Sequence, residues 1–131
     1  MHRTERIEPA SQDKILSLLE PLRPAAIYLF GSFGTEQQRA DSDLDLAVLL
    51  TQPVEPLTLF ELSQSLANAL CREVDLVDLN SASTVMAKEV IRTGTLLASA
   101  SPALLQEFEM RTLSDYARLN EERQPVLANL R

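Results

Sequence analysis

The sequence predicts an α/β (α+β) domain: a single small mixed sheet flanked by helices. Two observations carry this. Three short apolar runs, "AAIYLF" at 25–30, "DLDLAVLL" at 43–50 and "EVDLVDL" at 73–79, are too brief for helices and read as buried strands. Between and after them lie longer segments whose apolar residues recur at helical spacing. At 131 residues the chain is expected to form one domain, 1–131, with a core over about 11–100 and a C-terminal helix over about 102–124.

The first helix is expected from Ser11, as its cap, to Leu22, with Ile15, Leu16, Leu18 and Leu19 on its apolar side and Pro21 and Pro24 closing it. After the turn "TQPVEP", residues 57–71 form an amphipathic helix on Leu57, Leu59, Phe60, Leu62, Leu66 and Leu70. The only cysteine, Cys71, falls in that pattern and is expected to be a buried thiol, with no disulfide. Ser83 caps a helix from Thr84 to about Arg92, Gly94 stops it, and "TLLAS" makes a short edge strand. Ser101-Pro102 opens a long helix through Leu105, Phe108, Thr112, Tyr116 and Leu119, which Pro125 should end or bend. Leu113, Tyr116 and Leu119 could belong to a partner surface or simply close the core.

A net charge of −7 with no Lys/Arg run makes nucleic acid a poor partner. No apolar run approaches 18 residues and the first ten residues are polar, so neither a membrane span nor a signal peptide is expected, and the protein is placed in the cytoplasm.

Chemistry concentrates in "FGSFGTEQQRADSDLDLAVLL", residues 30–50, which holds two of the three glycines and three aspartates. Gly31 directly after a strand removes the Cβ that would block backbone approach to a phosphate, and the Ser32 hydroxyl can donate to a phosphate oxygen. Period-two alternation points Asp43 and Asp45 to one face, roughly 7 Å apart by Cα, with Leu44, Leu46, Val48 and Leu50 on the other. Two such carboxylates repel unless a cation lies between them, and an all-oxygen donor set suits Mg²⁺ or Mn²⁺ rather than Zn²⁺. Asp75 in the next strand offers a third carboxylate if the two strands are neighbours, and the three could then serve two metal ions. Asp78 is read as a strand-end or capping residue, Asp41 as a turn residue, Arg39 as solvated, and Tyr28 and Tyr116 as packing residues; His2 is given no role.

Gly31-Ser32, ten residues, then Asp43-Leu44-Asp45 resembles the G-S-x10-D-x-D signature of the DNA polymerase β-like nucleotidyltransferase superfamily. Together with "DSDLDLAVL", "VDLVDL" followed by "SASTV", and "ERQ" near the C-terminus, the chain resembles the minimal nucleotidyltransferase antitoxins of the MntA family over about residues 11–128. That resemblance implies the polymerase β-like fold and an Mg²⁺-dependent protein adenylyltransferase. Such an enzyme places AMP from ATP on a tyrosine of a partner HEPN-domain ribonuclease toxin, with which it forms a hetero-oligomer. Carried over by position, Gly31 and Ser32 would hold the triphosphate, Asp43 and Asp45 would bind both metals, and Asp75 would complete the metal site and help activate the tyrosine hydroxyl. Many superfamily members carry a second glycine where this chain has Glu36, and here the glycine is Gly34. A chain this short has little structure with which to hold a separate acceptor, which favours a protein that brings its own nucleophile. The other readings are a nucleotidyltransferase acting on a small molecule of the aminoglycoside type, and a non-catalytic antitoxin that acts by binding alone.

Overall fold

A computed structural model describes residues 7–30 and 43–129. Its elements run α1 (Pro9–Leu19), a 3-10 turn (Glu20–Leu22), β1 (Ala26–Phe30), β2 (Leu44–Leu49), α2 (Pro56–Leu70), β3 (Val74–Asp78), α3 (Thr84–Thr93), β4 (Thr95–Ser99) and α4 (Pro102–Asn129). The four strands form one mixed sheet in the order β3-β2-β1-β4, with β1 antiparallel to both β2 and β4 and β2 parallel to β3. The small mixed sheet flanked by helices is therefore present, and β4 lies at one edge as "TLLAS" suggested.

Alternation along the strands divides the core between the two faces of the sheet. On one face Ile27, Leu29, Leu44, Leu46, Val48 and Leu50 pack with Ile15 and Leu19 of α1 and Leu66 of α2. On the other, Ala26, Tyr28, Ala47 and Leu49 pack with Ala87 and Val90 of α3 and Leu105 and Phe108 of α4. Tyr28 is fully buried there and donates its hydroxyl hydrogen bond to the Glu109 carboxylate, tying β1 to α4. Burial, with the hydrogen bond and charge of Glu109, holds the Tyr28 phenol protonated well above its ordinary range.

Several helix ends differ from the sequence reading. The first helix starts at Pro9 after Glu8, not at a Ser11 cap, because proline is preorganised for the first helical position. Pro56 opens α2 in the same way after Glu55. The inward stripe of α2 is Leu59, Leu62, Ser63, Leu66 and Leu70, whereas Leu57 and Phe60 stand 65% and 60% exposed. Cys71 is exposed rather than buried: it adopts a left-handed φ of 56° and ends α2 by donating its N–H to the Ala67 carbonyl, which turns it out of the apolar stripe.

Ser83 caps α3 by accepting from the Met86 N–H at 3.1 Å, and Ser101 Oγ accepts from the Leu104 N–H at the start of α4. Gly94 does stop α3, but with an extended backbone. Its need is space: a Cβ there would lie 2.4 Å from the Val90 carbonyl oxygen and 3.1 Å from the Tyr28 ring. The last helix does not end at Pro125 but continues to Asn129. Within α4, Tyr116 lies under Lys88 of α3, 4.7 Å from the ammonium to the ring centroid, while Leu113 is 47% exposed. No helix among the described residues is long and apolar enough to cross a membrane.

Leu46 is fully buried at the centre of the face covered by α1 and α2. Leu46→Ala is expected to lower the unfolding free energy by about 2–5 kcal/mol in urea titrations, and the exposed Leu57→Ala to change it by less than about 0.5 kcal/mol.

Candidate active site

Strand β2 carries Asp43 just before its first residue and Asp45 within it. Period two puts both on the side of the sheet lined farther along by Ala47 and Leu49, the side covered by α3 and α4. Apolar burial of the remaining β2 residues fixes this register, because a slip by one residue would turn Leu44, Leu46 and Val48 out of the core.

The β2–β3 pairing answers where Asp75 falls. Asp45 lies directly opposite Asp75, with Leu44 opposite Val74 and Leu46 opposite Leu76. Residues opposite one another in a ladder share a face, so the strands themselves bring Asp43, Asp45 and Asp75 to one end of one face. Across β2 on the other side, Asp45 is paired with Phe30, the last described residue of β1. A row Phe30–Asp45–Asp75 thus crosses three strands. Gly31 and Ser32, the predicted phosphate-contacting pair, lie outside the described residues, as do Glu36, Arg39 and Asp41.

Asp45 stands apart from its two neighbours in burial and charge. Asp45 is half-buried between two strands, whereas Asp43 and Asp75 are exposed. Burial first, then the negative charges of Asp75 and Asp43, push the Asp45 carboxyl above the usual carboxylate range. Asp78 is set apart from this group: it accepts from the Asn80 N–H at 3.0 Å and the Ser81 hydroxyl at 3.3 Å, so it closes the turn after β3, as a strand-end residue should. Among the described residues, no three acidic, histidine or cysteine side chains are already drawn together as a metal cluster. The donor set nevertheless fits a hard divalent cation: it is all carboxylate, on one face, and its central member is destabilised as an anion by burial and then by its neighbours.

The sequence of residues 13–103 matches the family model described as polymerase beta, nucleotidyltransferase. The chain belongs to this nucleotidyltransferase family, and its sheet, helices and aspartate row form a polymerase β-like nucleotidyltransferase fold. It is 38% identical over 123 residues to the protein adenylyltransferase MntA of Shewanella oneidensis, a match covering 92% of this chain and 88% of that protein. Among solved structures, it resembles a chain of a toxin–antitoxin crystallised with AMP-PNP, with a TM-score of 0.79 and 39% identity over 91% of this chain and 97% of that one. It also resembles a chain of the complex of the tri-AMPylated Shewanella oneidensis HEPN toxin with its MNT antitoxin. There the TM-score is 0.79 and the identity 36%, over 95% of this chain and 98% of that one.

The Asp45 shift fixes a pH dependence. Its folded pKa lies above that of the unfolded chain, so the ionised form is disfavoured in the native state. The resulting penalty is absent below the unfolded pKa and is fully present once the pH has risen through the folded one. In metal-free protein, Asp45→Asn is therefore expected to raise the melting temperature at neutral pH, with the gain shrinking toward zero as the pH is lowered through the carboxylate range. Thermal melts of both proteins from pH 8 to pH 4 check this.

Proposed function

We propose that this chain is an antitoxin that transfers AMP from ATP to a tyrosine of a partner HEPN-domain ribonuclease toxin in the cytoplasm and so neutralises it. The observation that carries this reading is the register that sets Asp75 opposite Asp45 on the face shared with Asp43. Supporting it are the similarity to a protein adenylyltransferase along nearly the whole chain, and relatives crystallised with AMP-PNP and with a tri-AMPylated HEPN toxin. The net charge of −7 would assist encounter with a basic, RNA-cleaving partner.

In this reading Gly31 and Ser32 hold the triphosphate, and Asp43 and Asp45, completed by Asp75, hold two divalent ions, Mg²⁺ or Mn²⁺. When bound, these ions supply positive charge that offsets the triphosphate and lowers the pKa of the attacking hydroxyl. The tyrosine oxygen attacks the α-phosphorus of ATP in line. A new P–O bond joins AMP to the tyrosine as the bond from the α-phosphorus to the α–β bridging oxygen breaks, and pyrophosphate leaves. The phenolic proton passes to the Asp75 carboxylate, an exposed base on the edge strand of the sheet.

Intact mass of the partner after incubation with this protein, ATP and Mg²⁺ tests the reading. One or more AMP increments are expected, and both Asp43→Ala and Asp45→Ala should slow their appearance by at least about a hundredfold while circular dichroism stays unchanged. Unchanged transfer by folded Asp43→Ala would sink the assignment. Neutralisation by the double variant with no mass gain would instead mark an antitoxin that works by occlusion.

A further inference from the structure

Strand β3 is an edge strand, and among the described residues no further strand pairs with its outer side. Its inner hydrogen bonds are set by the parallel ladder: the Leu44 N–H donates to the Glu73 carbonyl at 2.8 Å, and the Leu79 N–H to the Val48 carbonyl at 3.0 Å. Alternation assigns the backbone groups of Glu73, Asp75, Val77 and Leu79 to β2, so those of Val74, Leu76 and Asp78 point away from the sheet. The outward-pointing peptide groups of Val74 and Leu76 therefore bracket Asp75, the exposed end of the row Phe30–Asp45–Asp75.

We infer that the acceptor polypeptide docks by strand addition: an extended segment pairs with the outer edge of β3 and sets its reactive hydroxyl residue opposite Asp75. This inference rests on the protein-modifying reading above and adds how the acceptor is held. Continuity of the row is what selects the occupant. A residue paired with Asp75 would have its Cα about 4.5–5.5 Å away and its side chain on the same face as Asp75 and Asp45. A tyrosine there would carry its phenol over the carboxylates, and main-chain hydrogen bonds would bind the segment with little demand on its other side chains. The same edge lets this domain position a nucleophile through its own sheet. A short, acid-bearing edge strand is in addition a poor template for pairing with a second copy of itself, because Asp75 and Asp78 would add like charge to like.

Val74 begins β3 with its N–H outward, a position where proline is tolerated in an edge strand. Val74→Pro deletes that donor, and Val74→Ala trims the same side chain while keeping it. Steady-state transfer should show the KM for the acceptor protein raised roughly 2- to 10-fold by the proline variant relative to the alanine variant, with the KM for ATP equal in the two. Residue-resolved amide exchange on the full chain, with and without acceptor, provides the second measurement. The Leu76 and Asp78 amides are expected to slow by about tenfold or more in the complex, and the Asp75 and Val77 amides, already paired with β2, to change little. AMP mass gain with Leu76 and Asp78 exchanging as in the free protein would overturn strand addition and leave the transferase reading standing. Protection of those amides with no mass gain would support strand addition and overturn transfer. Protection that grows with protein concentration in the absence of acceptor would assign the edge to self-pairing and overturn the proposal.

Discussion

The register of β2, which buries Leu44, Leu46 and Val48 on one face and half-buries Asp45 on the other, is the constraint on which the rest of the structure depends. Asp43, Asp45 and Asp75 share one face at one end of a small sheet, and the central one is pushed away from ionisation by burial and by its two neighbours. Left alone, a half-buried carboxylate in such a row costs stability. The apolar remainder of β2 absorbs the cost by locking the strand. Leu44, Leu46 and Val48 are buried on the opposite face, so the aspartates have no register in which to escape one another.

Two packed faces give the row its rigidity. Helices α1 and α2 cover one side of the sheet and α3 and α4 the other, and the hydroxyl of buried Tyr28 links β1 to α4 through Glu109. The parallel step from β2 through α2 to β3 brings a third carboxylate to this face, because it sets Asp75 opposite Asp45. An antiparallel hairpin could not have carried α2 between these strands. Sheet order then decides access: Asp75 sits on an edge strand, while Asp45 is enclosed between β1 and β3.

Much of this was legible because it is local. The alternation in "DLDLAVLL" states which face is polar, Ser83 and Ser101 announce helix starts through their own hydroxyls, and the spacing from Gly31-Ser32 to Asp43 and Asp45 carries the family likeness. The misplaced features depended on orientation relative to something distant. Leu57 and Phe60 fit a helical apolar pattern, yet the direction from which β3 and α1 meet α2 leaves both outside. Cys71 has an apolar neighbourhood in sequence, but the helix ends there in a left-handed turn. Gly94 reads as a helix stop, but the space around it is closed both by the Val90 carbonyl four positions before it and by the Tyr28 ring, 66 positions earlier in the chain.

By itself the sequence determined the fold class, the identity of the paired aspartates and their common face, because each follows from periodicity within one strand or one helix. Only the tertiary structure decided that β2 and β3 are parallel neighbours in the register that opposes Asp45 to Asp75, and that β3 lies at the edge. Strand order and register between segments about 30 residues apart are fixed by how two helical layers bury both faces of the sheet at once, a condition that no single segment expresses.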